Sequence, residues 1–211
     1  MKRKIVKALA AAGLALCAAT TAQAAYVGST PLSNDVIGKM EGWFGANLYL
    51  IAGGSTTITV DFIGKEAGWL NSFYLNGAKM FDTSQSPAAP NIDVAVNPGL
   101  INFAFFSNLG TGNPLAGTVT NGSNQDPVTN LLNYFITFDD NVVNGSTPSS
   151  GQTVLIALDD TGAGPDDNHD DMVIRLTISN GGFQVPEPGT LALLGLGALA
   201  AGLARRRQAK A

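Results

Sequence analysis

The sequence predicts an all-β protein whose central domain is an antiparallel β-sandwich, jelly-roll-like, with a signal-peptide helix before it and a short transmembrane helix after it. Short runs that alternate apolar and polar residues recur between Gly, Asn and Pro turn signals. Few segments show the 3.6-residue period of an amphipathic helix. The central stretch of about 160 residues is long enough for one domain with a substantial core. These observations predict the fold class but not the order of the strands.

The period-two pattern predicts about eight strands. They are residues 46–51, 56–63, 70–75, 91–96, 100–107, 131–138, 153–158 and 172–178. The Gly53-Gly54 step between the first two predicts a β-hairpin, and Asn76-Gly77 predicts a second tight turn. Residues 25–39 lack a regular pattern and predict an irregular lead-in.

Residues 1–24 have the order of a secretory signal peptide. Four basic residues within the first seven precede an apolar stretch at 8–19. Ala22-Gln23-Ala24 then has the small-x-small form of a signal peptidase site, so we expect cleavage after Ala24.

Cys17 offers an alternative, because Leu14-Ala15-Leu16 before it is similar to a lipoprotein box. Leu16 is larger than the small residue expected before a lipidated cysteine, so ordinary cleavage is favoured. Removal of Cys17 would leave the exported chain without a cysteine and therefore without a disulfide.

The predicted exported domain, residues 25–184, is strongly acidic. It carries 15 acidic and four basic residues, a formal charge of −11, because the other eight basic residues lie in the two terminal segments. Nucleic acids are disfavoured as partners, since a phosphate backbone requires a basic face. Anionic lipid surfaces are disfavoured for the same reason. The charge suits bound divalent cations or a solvated extracellular surface.

Residues 185–211 have the order of a membrane-anchored tail. Val185-Pro186-Glu187-Pro188 cannot join a helix, because each proline lacks an N–H and restricts the residue before it. The uncharged stretch 190–204 would span about 22 Å as a helix, at about 1.5 Å per residue. Arg205, Arg206 and Arg207 can extend its reach by snorkelling. The positive-inside rule places these arginines in the cytoplasm and the preceding domain outside. The alternative, a buried core helix, is disfavoured by the three arginines.

This tail resembles the PEP-CTERM sorting signal of Gram-negative bacteria. The resemblance implies a precursor held in the inner membrane until an exosortase, a transpeptidase-like membrane protease, recognises Pro186-Glu187-Pro188 and removes the tail. It also implies delivery to the cell surface or to the exopolysaccharide matrix of a biofilm. The same tail is described as an ice-binding-protein C-terminal domain, which labels the sorting tag and is not evidence of ice binding.

A loop with six aspartates separates the last two predicted strands. The candidate metal ligands in it are Asp159, Asp160, Asp166, Asn168, Asp170 and Asp171. Clustered carboxylates repel one another unless they are solvated or neutralised by a cation. Calcium takes six to eight oxygen ligands, which short side chains on a Gly-bent loop can supply. Two interpretations remain, a structural calcium site and a solvated turn that keeps a sheet edge soluble. Asp159 and Asp171 are also candidates for binding backbone N–H groups of the loop.

The loop does not match an EF-hand. Asp166, Asn168 and Asp170 alternate as EF-hand ligands do, but Asp171 stands where the turn glycine belongs and Thr177 where the bidentate glutamate belongs. Residues 155–178 instead resemble the C-terminal segment of PEP-CTERM proteins of the DUF4114 type. That resemblance implies no assigned reaction.

No catalytic motif stands out. His169 is the one histidine, and the sequence has no Gly-x-Ser-x-Gly motif whose serine could form a catalytic triad with it. A single histidine without cysteines is also a weak zinc site. It is interpreted as a loop residue beside the acidic site. Glu41 and Glu66 lie near Trp43 and Trp69, a carboxylate–aromatic combination typical of sugar sites. The simpler interpretation is that both tryptophans are core or hairpin-flanking aromatics.

These features favour a non-enzymatic, adhesin-like or glycan-binding module with calcium as its cofactor and extracellular polysaccharide as its partner. The alternative class is an extracellular glycan-active hydrolase that uses Asp and Glu carboxylates. Ice binding by threonine arrays ranks last, because Thr57-Ile58-Thr59 and Thr118-Val119-Thr120 are isolated and no repeat builds a flat lattice.

Overall fold

The computed structural model describes residues 25–30, 33–108, 117–123, 132–138, 147–160 and 168–186. Residues Ala25–Pro186 form one compact unit. Several predicted features lie outside the described residues: the signal peptide with Cys17, Ala22 and Ala24, and also Asp166, Glu187, Pro188, the stretch 190–204, Arg205, Arg206 and Arg207. Within the described ranges, no helix has the length and apolar character to cross a membrane.

The regular structure of the described residues is entirely β. The strands are β1 (Tyr26–Ser29), β2 (Glu41–Phe44), β3 (Tyr49–Ile51), β4 (Thr56–Gly64), β5 (Leu70–Leu75), β6 (Ala78–Asp82), β7 (Ile92–Val96), β8 (Gly99–Leu100), β9 (Phe103–Asn108), β10 (Thr118–Thr120), β11 (Asn133–Phe138), β12 (Ser150–Gly151), β13 (Thr153–Asp159), β14 (Met172–Ile178) and β15 (Gly182–Gln184). Neighbouring strands pair antiparallel. The predicted all-β, antiparallel class is therefore confirmed.

Three sheets make up the sandwich. The main sheet has seven strands in the order β1-β2-β11-β13-β14-β4-β7. The aromatic sheet has the order β10-β9-β5-β6, and the small sheet has the order β12-β15-β3-β8. Many neighbours are distant in sequence, which is why the alternation pattern could not predict the order.

The main core lies between these sheets. Ile58, Val60 and Phe62 of β4 are buried while the residues between them are more exposed, as the period-two pattern predicts. Phe73 of the aromatic sheet has its ring centroid 5.1 Å from that of Phe105 and 5.8 Å from that of Phe103. Such aromatic pairs add about 0.5–1.5 kcal/mol each beyond the burial of their area.

A second, smaller core covers the outer face of the main sheet. Its buried members are Phe44, Phe135, Leu155, Ala157 and Val173. Residues 33–40, here called the covering segment, lie against it through Val36, Ile37 and Met40. This part of the predicted lead-in therefore shields a face of the sheet that would otherwise expose apolar side chains.

The predicted hairpin around Gly53-Gly54 is wrong. β3 pairs with β15 and β8 in the small sheet, whereas β4 pairs with β14 and β7 in the main sheet. Leu50 and Ile58 are both fully buried in the main core, but they enter it from different sheets. A Gly-Gly turn alone would pair β3 with β4. The two strands are instead separated, because each buries its apolar face from a different sheet.

Other differences concern short strands. β1 forms inside the predicted irregular lead-in and pairs with β2, and β10 forms between the predicted strands 100–107 and 131–138, where no strand was predicted. The predicted strand 100–107 divides into β8 and β9, which belong to different sheets. By contrast, the Asn76-Gly77 turn joins β5 to β6 with positive φ angles of 53° and 79°, as predicted.

Candidate functional site

The described residues of the acidic loop lie where β13 ends and β14 begins. Asp159 is the last residue of β13 and pairs in register with Asn133 of β11. Asp159, Asp160 and Asp170 are all at most 3% exposed. These three carboxylates are therefore not solvated, and a purely solvated turn does not describe them.

The buried carboxylates accept hydrogen bonds from named donors. The Oδ2 atom of Asp160 accepts one from the Nδ2 atom of Asn71 at 2.7 Å. The backbone N–H of Asp160 donates to the Oδ2 atom of Asp171 at 2.7 Å, and the N–H of Asp35 donates to the Oδ2 atom of Asp170 at 2.9 Å. The expected backbone-binding role of Asp171 is confirmed, and that of Asp159 stays a prediction.

The carboxylates also act on one another electrostatically. Burial, together with the negative charges of Asp160 and Asp170, raises the pKa of Asp171 to about 8. A cation bound beside these carboxylates would lower the pKa of Asp171, because its positive charge would offset their negative charges. However, no three acidic, histidine or cysteine side chains of the described residues lie close enough together to hold a metal ion. A calcium site here would need ligands from residues 161–167, which include Asp166.

Asn71 is a site residue that the sequence analysis missed. It lies on the inward-facing side of β5 together with Phe73 and Leu75, and it is fully buried. Its Nδ2 atom donates to Asp160, while its Oδ1 atom has no hydrogen-bond partner within the part of the chain that the structure describes. An asparagine at an inward position of an apolar strand was the available sequence signal, since buried polar groups need partners.

Asn34 attaches the covering segment to the acidic loop. Its Nδ2 atom donates to the carbonyl oxygens of Asn168 and His169, at 2.7 and 3.1 Å. Its Oδ1 atom accepts hydrogen bonds from the N–H groups of Val36 and Ile37, at 3.0 and 2.7 Å. This pattern is that of a capping residue, which binds the donors two and three positions ahead. One side chain therefore orders a turn and joins it to residues 134 and 135 positions away.

His169 lies in the loop as expected, and its ring packs against two aromatic residues of the second core. Its backbone has a φ of 58°, and its ring lies 5.3 Å from that of Phe44 and 6.0 Å from that of Phe135. The Nε2 atom lies 2.7 Å from the Oδ1 atom of Asn133. Burial lowers the pKa of His169 to about 3. The ring is therefore neutral at physiological pH and belongs to the second core.

The two Glu–Trp combinations have separate surroundings. Trp43 is buried in the main core, and its Nε1 atom donates to the carbonyl oxygen of Pro148 at 2.8 Å. Its interpretation as a core aromatic is confirmed. Glu41 and Glu66 are both exposed, but Glu41 lies in β2 whereas Glu66 precedes β5 and donates its N–H to Asp170.

A partly exposed aromatic pair lies on the outer face of the aromatic sheet. The ring centroids of Tyr74 and Phe106 are 4.7 Å apart, and Phe106 is 42% exposed. Thr118 lies opposite Phe106 in register, and Lys79 lies opposite Tyr74. Apolar rings with polar neighbours at their edges are typical of a ligand-binding surface.

Taken together, fold and sites define an acidic all-β module with a buried carboxylate loop and an exposed aromatic face. The family model of the PEP-CTERM protein-sorting motif matches residues 184–208. The chain therefore carries a PEP-CTERM sorting motif, which implies a secreted precursor that is anchored in the membrane and processed by an exosortase at the cell surface. No curated protein and no solved structure matches the chain. The resemblance of residues 155–178 to DUF4114-type proteins stays a prediction.

Proposed function

We propose that the exported domain is a non-enzymatic, adhesin-like module that binds glycans of the extracellular matrix. The contact between half-buried Tyr74 and exposed Phe106 is the observation that supports this proposal. A sugar ring presents an apolar C–H face that can stack on an aromatic ring, and its hydroxyl groups bind polar side chains nearby. Both rings lie on neighbouring strands of one sheet and contact each other, so little side-chain entropy is lost on binding.

The neighbours of the pair suit a neutral glycan. Thr118 and Thr120 of β10 share the face with Phe106 and are exposed. Lys79 lies opposite Tyr74 and is held by Asp82, whose Oδ2 atom is 2.7 Å from the ammonium nitrogen. Hydroxyl and ammonium groups bind sugar hydroxyls, whereas the domain charge of −11 repels a polyanionic polymer. The ligand class is therefore a neutral polysaccharide.

Binding of the purified domain to matrix polysaccharide tests the proposal. Phe106→Ala and Tyr74→Ala should each weaken binding by about tenfold, equal to about 1.4 kcal/mol. Leu100→Ala is the matched control, because Leu100 is 46% exposed on the small sheet. Equal binding by wild type and both aromatic variants would show that this face is not the glycan site.

The same samples separate binding from hydrolysis. A non-enzymatic module releases no reducing ends from the polysaccharide during prolonged incubation. Release that is lost in Glu41→Gln or Glu66→Gln would instead identify the hydrolase alternative, since both carboxylates are exposed.

A calcium ion held by the acidic loop is the second proposal. The candidate ligands are the carboxylates of the acidic loop, Asp166 among them, and the Oδ1 atom of Asn71. Because no three acidic side chains of the described residues converge, residues 161–167 would have to complete the site. The support is the burial of Asp160 and Asp170 beside Asp171, because a divalent cation would neutralise the negative charges that these groups exert on one another. When bound, calcium would join the ends of β13 and β14 to β5.

Thermal unfolding with calcium and with a chelator tests the calcium proposal. A ligand that binds only the folded state adds about 2.7 kcal/mol at a hundredfold excess over its Kd. The shift should disappear in Asp166→Asn with Asp170→Asn. Asp93→Asn is the control, because Asp93 is exposed on β7 and far from the loop in sequence. An unchanged Tm for wild type would overturn the calcium proposal and leave glycan binding unaffected.

A further inference from the structure

The chain from Phe183 to Pro186 alternates between core and solvent. Phe183 and Val185 are fully buried in the main core, whereas Gln184 and Pro186 are exposed. The backbone N–H of Val185 donates to the carbonyl oxygen of Ser149 at 2.8 Å. This bond continues the pairing of β15 with β12 one residue beyond Gln184. Val185 is therefore part of the folded domain.

The sorting motif and the fold overlap at this point. The motif match begins at Gln184, the last residue of β15. Pro186 ends the hydrogen-bonded ladder, because proline has no N–H to donate. A protease or transpeptidase needs an extended, accessible segment, and bonds within a folded sheet become accessible only after local unfolding. Accessibility therefore changes between Val185, which is fully buried, and Pro186, which is exposed.

We infer that the fold sets the N-terminal limit of exosortase processing. The bond that is broken lies on the C-terminal side of Val185, and the released domain keeps β15 complete. The broken bond is a peptide bond: its acyl part carries the folded domain and passes to water or to an amine acceptor. Its amino part stays with the remainder of the chain. Val185 is thus a structural residue, although it is the first residue of the Val-Pro-Glu-Pro motif.

An open groove lies on the surface beside β15. A groove of about 570 Å³ runs along β12 and β15, and its lining includes Gly151, Gly182 and Gln184. The groove leaves the exposed side of Gln184 open. Pro186 itself is exposed, so an exosortase could contact it without displacing a strand of the small sheet.

The first experiment measures where the released domain ends. The full chain is co-expressed with an exosortase, and the intact mass of the released domain is determined. The expected mass places the new C-terminus at Val185 or at a later residue. A C-terminus at Gln184 or earlier overturns the inference, because β15 would then have to open during processing.

The second experiment separates the structural role of Val185 from recognition. Val185→Ala removes two buried methyl groups and should lower Tm by about 5 °C. An insertion of Gly-Ser between Val185 and Pro186 should leave the rate of processing unchanged. Gln184→Ala is the control for Val185→Ala, because Gln184 is the exposed neighbour. Two outcomes would assign Val185 to recognition and contradict the inference. One is loss of processing in the insertion variant, and the other is loss of processing in Val185→Ala while its Tm is unchanged.

Discussion

The Nδ2 atom of Asn71 lies 2.7 Å from the Oδ2 atom of Asp160 and joins two sheets of the sandwich. Asn71 belongs to the aromatic sheet, and Asp160 follows the central strand β13 of the main sheet. Both side chains are almost completely buried. Because the acceptor belongs to a buried acidic cluster, this bond contributes more than one between exposed groups.

Replacement of Asn71 by alanine should therefore destabilise the domain strongly. We expect a loss of about 1.5–3 kcal/mol in the free energy of unfolding, the range for hydrogen bonds to charged groups. Denaturant unfolding measures this loss. Asn102→Ala is a suitable control, because Asn102 is exposed and its carbonyl, which binds the N–H of Asn76, is unchanged. Equal losses in the two variants would show that the Asn71–Asp160 bond contributes nothing specific.

Asn34 should control the order of the covering segment. Asn34→Ala removes four hydrogen bonds of about 0.5–1.5 kcal/mol each. Hydrogen exchange should then become much faster at the amides of Val36 and Ile37. Asn34→Asp keeps the acceptor for these two amides but loses both donors to the acidic loop.

The two variants of Asn34 thus separate its two functions. Protection of Val36 and Ile37 should survive in Asn34→Asp, although the domain loses stability. Asn180→Ala, at an exposed position, controls for the loss of an amide. If Asn34→Ala leaves the exchange of Val36 and Ile37 unchanged, the covering segment is held by its apolar contacts alone.

The stability of the domain should be greatest between about pH 4 and 6.5. His169 has a pKa of about 3 in the folded state, against 6.5 ordinarily, so the unfolded state binds more protons below pH 6.5. Its contribution to stability is present above pH 6.5 and is lost as pH falls toward 3. Asp171 acts in the opposite direction, because its folded pKa of about 8 exceeds its ordinary 3.8 and stability falls as pH rises from 4 to 8. The two slopes, each up to about 1.4 kcal/mol per pH unit, largely cancel between pH 4 and 6.5.

His169→Asn tests this pH dependence. Asparagine accepts the positive φ of 58° at this position and does not titrate. The free energy of unfolding of the variant should rise steadily as pH falls from 8 to 4, because the opposing contribution of His169 is absent. A pH profile parallel to that of the wild type would show that the ring of His169 does not govern the acid limb.

Gly42 should tolerate no side chain. A Cβ at this position would clash with the carbonyl oxygen of Ile136 and with the ring of Phe135. Overpacking of this kind costs about 1–3 kcal/mol, or more where backbone atoms must move. Gly68→Ala is the matched control, because an added Cβ meets open space there and should change stability by less than about 0.5 kcal/mol. Thermal unfolding of the two variants compares them directly, and a similar Tm for both would contradict the close approach of β2 to β11.

Local patterns predicted the features that depend on neighbouring residues. The alternation of Ile58, Val60 and Phe62 predicted the buried face of β4, because a strand places every second side chain on one side. Asn76-Gly77 predicted its turn, because both residues tolerate positive φ. The same local reasoning failed at Gly53-Gly54, where the burial of Leu50 and Ile58 from different sheets decided the pairing.

The sequence by itself determined the fold class, the charge and the sorting signal. A sorting motif is a short linear segment, so its order of residues is sufficient to predict it, as the match to residues 184–208 shows. Only the tertiary structure decided which carboxylates are buried and which asparagines bind them. Asn71 and Asp160 are 89 residues apart, and Asp35 and Asp170 are 135 apart. Such contacts follow from how the sheets pack, and the alternation of residues along one strand carries no information about the strand that will face it.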